Sequence, residues 1–237
     1  MSTGWLSRNP GAADGLRPLG GAVIAHRSPE NAPMTPPLAE PPGHAAYFAV
    51  GAFPRFLADD AHAVASAMPP PEHAPAEPFV VDVQGETVAI PYRLYCDEPD
   101  AALQASFSER QAIILHCLYT RHHDGRVRQR HLAHVLPVVE PWVVPFVVQL
   151  LGEYVVQIQS AVQDGLGGLD TPGTPQHDVY GSVLAANREF LHLTRQRAAS
   201  YWDCYYRGRY PWEHYPGRIV LESLRAAARR APRGRLR

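Results

Sequence analysis

Apolar positions concentrate between Arg110 and Val162, in three runs parted by short polar or proline-bearing joints: QAIILHCLYTRHH, GRVRQRHLAHVL and PWVVPFVVQLLGEYVVQIQSAV. In the first, Ile113, Ile114, Cys117 and Leu118 recur at helical spacing. In the second, Val127, Leu132, Val135 and Leu136 do the same, and Pro137 closes the run. The third carries Val143, Val147, Leu150, Leu151, Tyr154, Val155, Ile158 and Val162 and is apolar on most of its remaining positions. A helix that is hydrophobic nearly all round packs at the centre of a fold. Its start is marked by Pro141, with Pro145 about one turn inside and expected to kink it. Ser106, with Glu109 three residues on, matches a capping box for the first helix, with Ser108 as the other candidate cap. Gly125 after His123-Asp124 marks its stop.

The flanking sequence fills in the rest. Phe53, Phe56, Leu57, Ala61 and Val64 predict a short helix within 47–68, followed by a linker rich in proline. FVVDVQGETVAIPYRLY alternates apolar and polar positions on either side of Gln84-Gly85-Glu86, which predicts a β-hairpin over 79–95 with Pro91 near the end of its second strand. A further long helix is expected from Asp178 to about Tyr206, with Val183, Leu184, Phe190, Leu191, Leu193 and Thr194 turned inward. An amphipathic helix is expected over Arg218–Arg230. The predicted fold is mainly α: a packed antiparallel helix bundle or short helical-repeat-like array with one hairpin, preceded by a disordered Pro/Gly-rich N-terminus. In domain terms this gives a disordered segment at 1–44, a short helix and linker at 45–78, a single helical domain at 79–230, and a basic tail at 231–237.

Composition changes this picture in three ways. The formal net charge of −1 conceals a polarity. Residues 1–107 carry five Arg against twelve acids, −7, and residues 108–237 carry seventeen Arg against eleven, +6. All 22 basic residues are Arg, which excludes Schiff-base and phosphate-loop lysine chemistry and points to a GC-rich bacterial genome. Cys96, Cys117 and Cys204 are widely spaced and odd in number, so free thiols in a reducing cytoplasm are expected rather than a disulfide framework. No signal peptide is expected, and Trp142–Ile158 is too short and too polar at Gln149 and Glu153 to span a bilayer, so no membrane partner is predicted.

The stretch HHDGRVRQRHLAHVL, residues 122–136, resembles the second half of a HEAT-type helical repeat, with Asp124, Val127, Arg128, Ala133 and Leu136 in the pattern's places. The resemblance implies a helix-pair scaffold for binding partners. No second copy recurs at a period of 40–47 residues, and no enzyme family is recognised.

Four clusters carry candidate chemistry. Arg126 and Arg130 stand one turn apart and could clamp an anion. Glu153 lies in the most apolar run and needs a cationic partner, with Arg121, Arg188 and Arg195 as candidates. YWDCYYRGRYPWEHYP, residues 201–216, interleaves aromatic and charged residues and supplies Tyr205, Tyr206, Arg207, Arg209 and Trp212 as a candidate binding surface. His131 and His134 share a helix face and, with His123, make an alternative metal site. No nucleophile–base constellation stands out, and no cofactor is predicted. The expected function is that of a helical scaffold or protein-interaction protein, with another protein as partner. A nucleic-acid-associated protein using the Arg- and aromatic-rich half is the first alternative, and a metal-dependent enzyme using the histidines is the second.

Overall fold

The computed structural model describes residues 44–232, and within them ten α-helices and one hairpin make a mainly α fold. The expected disordered N-terminal segment and most of the basic tail lie outside the described residues. Helices α1 (His44–Gly51) and α2 (Ala58–Ala67) replace the single expected helix, because Pro54 interrupts the run. The hairpin follows as β1 (Pro78–Val83) and β2 (Glu86–Pro91), in the register Val83↔Glu86 to Pro78↔Pro91. Its turn is Gln84-Gly85, with φ of 55° and 84°. Two left-handed residues in a two-residue loop match the right-handed twist of a hairpin. The Asp82 carboxylate accepts from the Gly85 N–H at 3.0 Å and holds the turn.

Helix α3 (Ala101–Ser106) precedes α4 (Glu109–Tyr119) and α5 (Gly125–Val135). The α4 cap is Ser108, in a reciprocal box with Gln111, rather than the Ser106–Glu109 pair. Ser106 instead ends α3, with its hydroxyl donating to the Leu103 carbonyl. Helices α4 and α5 run antiparallel, with His116 against His131 and His134, and Tyr119 against His131.

The expected long third helix is two helices. These are α6 (Val144–Leu151), in which every residue is buried, and α7 (Val156–Gly165). Pro145 falls in the first turn of α6, where its missing N–H costs nothing, so it starts the helix instead of kinking it. The chain leaves the helix at Gly152, which packs against α9 (Arg188–Tyr201) so closely that a Cβ would stand 3.2 Å from Thr194 Cγ2. The amide of Gln159 replaces lost helical bonds by donating to the carbonyls of Leu151 and Glu153, at 3.2 and 2.7 Å.

The fourth expected helix is also divided, into α8 (Pro175–Ala186) and α9, at Asn187. The Asn187 amide bonds back to the Val183 carbonyl and to both backbone groups of Asp82, which ties the break to the hairpin. The break also turns the following helix, so Leu193, expected inside, is 40% exposed. Helix α10 (Pro216–Arg230) closes the fold against α8, where Gly181 lets the Ala227 carbonyl approach within 2.9 Å of where a Cβ would be.

Candidate functional site

The break between α6 and α7 sets Glu153 into the interior, where it is 1% exposed. Its Oε1 accepts from Arg93 Nη1 at 2.8 Å and from Arg121 Nη2 at 2.7 Å. Arg128 Nε lies 3.0 Å from its Oε2, close enough for an ion pair although the angle is too poor for a hydrogen bond. Of the three partners expected from sequence, only Arg121 is found. Arg195 pairs instead with Glu222, at 2.6 Å. Arg188 is exposed on the surface.

Three guanidiniums around one carboxylate leave an excess of positive charge, and the backbone offsets it. Arg121 donates twice to the Thr120 carbonyl, and Arg128 donates to the carbonyls of His122 and His123. Thr120 is the C-cap of α4, where a cation complements the helix end, and His122 and His123 lie in the turn that follows. The cluster thus pins the α4–α5 turn to the α6–α7 break. Burial opposes ionisation of Glu153, but the guanidiniums of Arg121, Arg93 and Arg128 hold its carboxyl below the ordinary range. Burial also pushes the Arg121 guanidinium down to about 10, so it stays charged at neutral pH.

Above this cluster the chain reaches solvent as tyrosine. Tyr154, the residue after Glu153, is 52% exposed and Tyr205 is 69% exposed. Tyr201 joins them, with ring centroids 6.0 Å from Tyr154 and 6.2 Å from Tyr205. Tyr206 fixes the arrangement from the side by donating its hydroxyl to the Tyr154 carbonyl. Tyr92 carries two guanidiniums, Arg93 at 5.0 Å and Arg197 at 5.4 Å from its ring centre. The backbone that presents Tyr205 is a π-helical turn, Trp202–Tyr206, at the end of α9. Single π turns recur at functional sites because the extra residue pushes side chains outward.

The other sequence-derived candidates separate into packing and solvent. Trp212 is half-buried between Trp202, Tyr215 and the Arg218 guanidinium. Arg207 and Arg209 are exposed, the first paired with Asp203 at 3.3 Å and the second over Tyr210 at 5.6 Å. Arg126 and Arg130 lie on the exposed side of α5, and Arg130 pairs with Glu98. Arg93, Tyr92 and Arg197 belong to this region without having been marked in the sequence, and Arg128 was marked only as part of the HEAT-like, arginine-rich stretch. Only the adjacency of Tyr92 and Arg93 offered a signal.

The histidines form a separate chain of contacts between α4 and α5. His131 Nε2 lies 2.8 Å from Glu98 Oε1, so this nitrogen carries the proton and donates. His131 Nδ1 then accepts from His116 Nδ1–H at 2.8 Å, and His134 stacks on His116 at 4.2 Å. His123 stands apart, stacked on Tyr95 at 5.6 Å. Burial, together with His131 and His134, pushes His116 down to about 4. Burial likewise lowers His131, outweighing the Glu98 carboxylate. Among the described residues, no group of three or more His, Cys, Asp or Glu is arranged to hold a metal ion, and no helix is long and apolar enough to cross a membrane.

Comparison with known families, curated proteins and solved structures finds no match to this chain.

Proposed function

We propose that the protein is a helical scaffold that binds another protein through the tyrosine row Tyr154, Tyr201 and Tyr205. The observation that carries this is the exposure of Tyr154 and Tyr205 beside a tied-down backbone: the ion-paired Glu153 precedes Tyr154, and Tyr206 donates to the Tyr154 carbonyl. Rigid exposed tyrosines flanked by arginine are the side chains that dominate protein interfaces, because they bury large area with little loss of conformational freedom. The antiparallel α4–α5 pair fits the helix-pair scaffold that the HEAT-like stretch implies. The unpaired Cys96, Cys117 and Cys204 fit a reducing cytoplasm.

The test is a photo-cross-linking phenylalanine analogue placed at Tyr205, and at Arg126 as control, in cells that make the protein. A discrete protein adduct at position 205, missing at 126 and lost on Tyr154→Ala, is expected. Equal labelling at both positions, or no protein adduct at 205, overturns the reading.

A nucleic-acid partner is the second reading, favoured by the exposure of Arg207 and Arg209 beside Tyr205. Several arginines are already engaged by acids, Arg207 with Asp203 and Arg130 with Glu98, which weakens it. Oligonucleotide binding that falls by orders of magnitude between 50 and 200 mM salt, on the order expected for several phosphate contacts, would replace the first reading with this one.

A further inference from the structure

The hairpin has an open outer edge, and its register shows which backbone groups face outward. A two-residue turn makes Val83 and Glu86 a hydrogen-bonded pair, so Val81–Val88 and Phe79–Ile90 are hydrogen-bonded too. The backbone groups of Asp82, Val80 and Pro78 therefore point away from β2. Asn187 proves this at Asp82: its Oδ1 accepts from the Asp82 N–H and its Nδ2 donates to the Asp82 carbonyl, both at 2.7 Å. One side-chain amide thus occupies the rung that a neighbouring strand would use. The next rung, the N–H and carbonyl of Val80, continues outward in the same direction, and Val80 is 60% exposed.

Beside this edge runs α9, and a groove of about 440 Å³ lies between them. Its apolar lining is Val80, Phe190 and Leu193, with Phe190 stacked on Phe79 at 5.4 Å, and Asp82, Thr87 and Glu189 line it as well. Arg188, next to Asn187, marks the Asp82 end, and Arg197, over Tyr92, marks the Pro78–Pro91 end. Nine helical residues rise about 13 Å, and four strand residues span about 13 Å, so helix and edge match in length. Among the described residues, neither Arg188 nor Arg197 has an ion-pair partner.

We propose that this groove binds an extended segment of a partner protein as a third strand, in which an apolar side chain rests on Val80 and Leu193 and a carboxylate meets Arg197. The occupant is an extended peptide because the outward groups beyond Asp82, the N–H and carbonyl of Val80 and the carbonyl of Pro78, are those that a neighbouring strand pairs with. It carries a carboxylate because the Arg197 guanidinium, which recognises carboxylate in a fork, ends the groove without an acid beside it, whereas Arg188 shares its end with Asp82 and Glu189. The proposal rests on the reading of the protein as an interaction scaffold, and it names the chemistry of one partner segment. The groove adjoins the tyrosine surface through Arg197, but its strand edge and its apolar lining at Val80, Phe190 and Leu193 lie apart from the π turn that presents Tyr205.

The probe is a library of random 12-residue peptides displayed on phage, selected against the full chain. Enriched peptides should alternate apolar and polar residues and carry Asp or Glu. Val80→Pro removes the outward N–H, a change that an edge position tolerates. It should weaken their binding at least tenfold. Arg197→Glu and Leu193→Asp, both on the outer face of α9, should do the same with an unchanged circular-dichroism spectrum, and they decide the matter if Val80→Pro does not fold. N-methylation of alternate amides in the winning peptide should abolish binding in one register and spare it in the other. Peptides that bind all three variants like the parent chain, that are basic, or that never enrich would overturn the proposal. Oligonucleotide binding lost on Arg197→Glu but retained on Val80→Pro would overturn it in favour of nucleic acid. A failed selection beside an intact cross-link at Tyr205 would remove the groove alone and leave the scaffold reading standing.

Discussion

The α4–α5 helix pair carries two polar clusters with opposite behaviour. At the turn end, Arg121 and Arg128 meet Glu153 in full burial, and every group stays charged. Along the shared face, His116, His131 and Glu98 meet in partial burial, and the imidazoles stay neutral. Burial opposes charge in both places. The guanidiniums remain ionised because their ordinary affinity for protons is so high that even a large loss leaves them protonated at pH 7. The imidazoles begin near neutrality, so the same penalty discharges them. Equal physics therefore makes one cluster a permanent clamp and the other an element sensitive to acid.

The largest effect should come from breaking the clamp. Glu153→Gln keeps the shape and removes the anion that, among the described residues, faces all three guanidiniums. Breaking a buried pair from one side costs about 3–5 kcal/mol, since the surviving charges are left uncompensated. Urea unfolding of the purified variant reads this directly. A loss below about 1 kcal/mol would mean that backbone carbonyls alone hold the arginines.

Much of the fold was legible because it depends on local patterning. The three helical runs, the hairpin and the final amphipathic helix follow from apolar spacing and turn residues. The burial of Glu153 followed from its apolar neighbours, and Arg121 was among its expected partners. The helix breaks were not legible. Gly152 and Asn187 look unremarkable in a helical run, and the bonds at each break are made with groups distant in sequence or further along the chain: the Gln159 amide takes the carbonyls of Leu151 and Glu153, and the Asn187 side chain takes the backbone of Asp82. Arg126 and Arg128 illustrate the same limit. They stand two residues apart on one helix, hence on nearly opposite faces, and which one is buried depends on where α7 lies. The sequence marked Arg126, but the structure buries Arg128. The groove along β1 was hidden for a related reason. It exists only because the break at Asn187 turns Leu193 outward.

A middle-sized effect should separate the two clusters by pH. The folded chain holds His116 down at about 4, against an ordinary 6.5, so between these values the unfolded chain binds the additional proton. Stability therefore rises with pH across this window and is lost as pH falls from 6.5 towards 4. The depressed values of His131 and His122 act in the same sense. Allowing for partial exposure, His116 contributes roughly 1–3 kcal/mol to this slope. His116→Asn keeps a donor near the place of Nδ1 and removes the titration. Its melting temperature should fall less steeply than the parent's between pH 6.5 and 4.5. Parallel curves for the two proteins would show that His116 titrates normally in the fold.

The smallest effect tests the order of the histidine chain. Glu98 accepts from His131 and also faces Arg130, and its carboxyl is held below its usual range by both, although burial opposes this. It is partly solvated, so Glu98→Gln should cost less than about 1 kcal/mol. The informative reading is the titration of His131 by NMR. The Glu98 carboxylate is the strongest group favouring protonated His131. Its loss should lower the His131 value further, while Arg121 and Glu153 at the other end of the helix pair are undisturbed. An unchanged His131 titration would mean that Glu98 and His131 do not meet in solution. A drop in stability comparable to that of Glu153→Gln would mean that the two clusters are one.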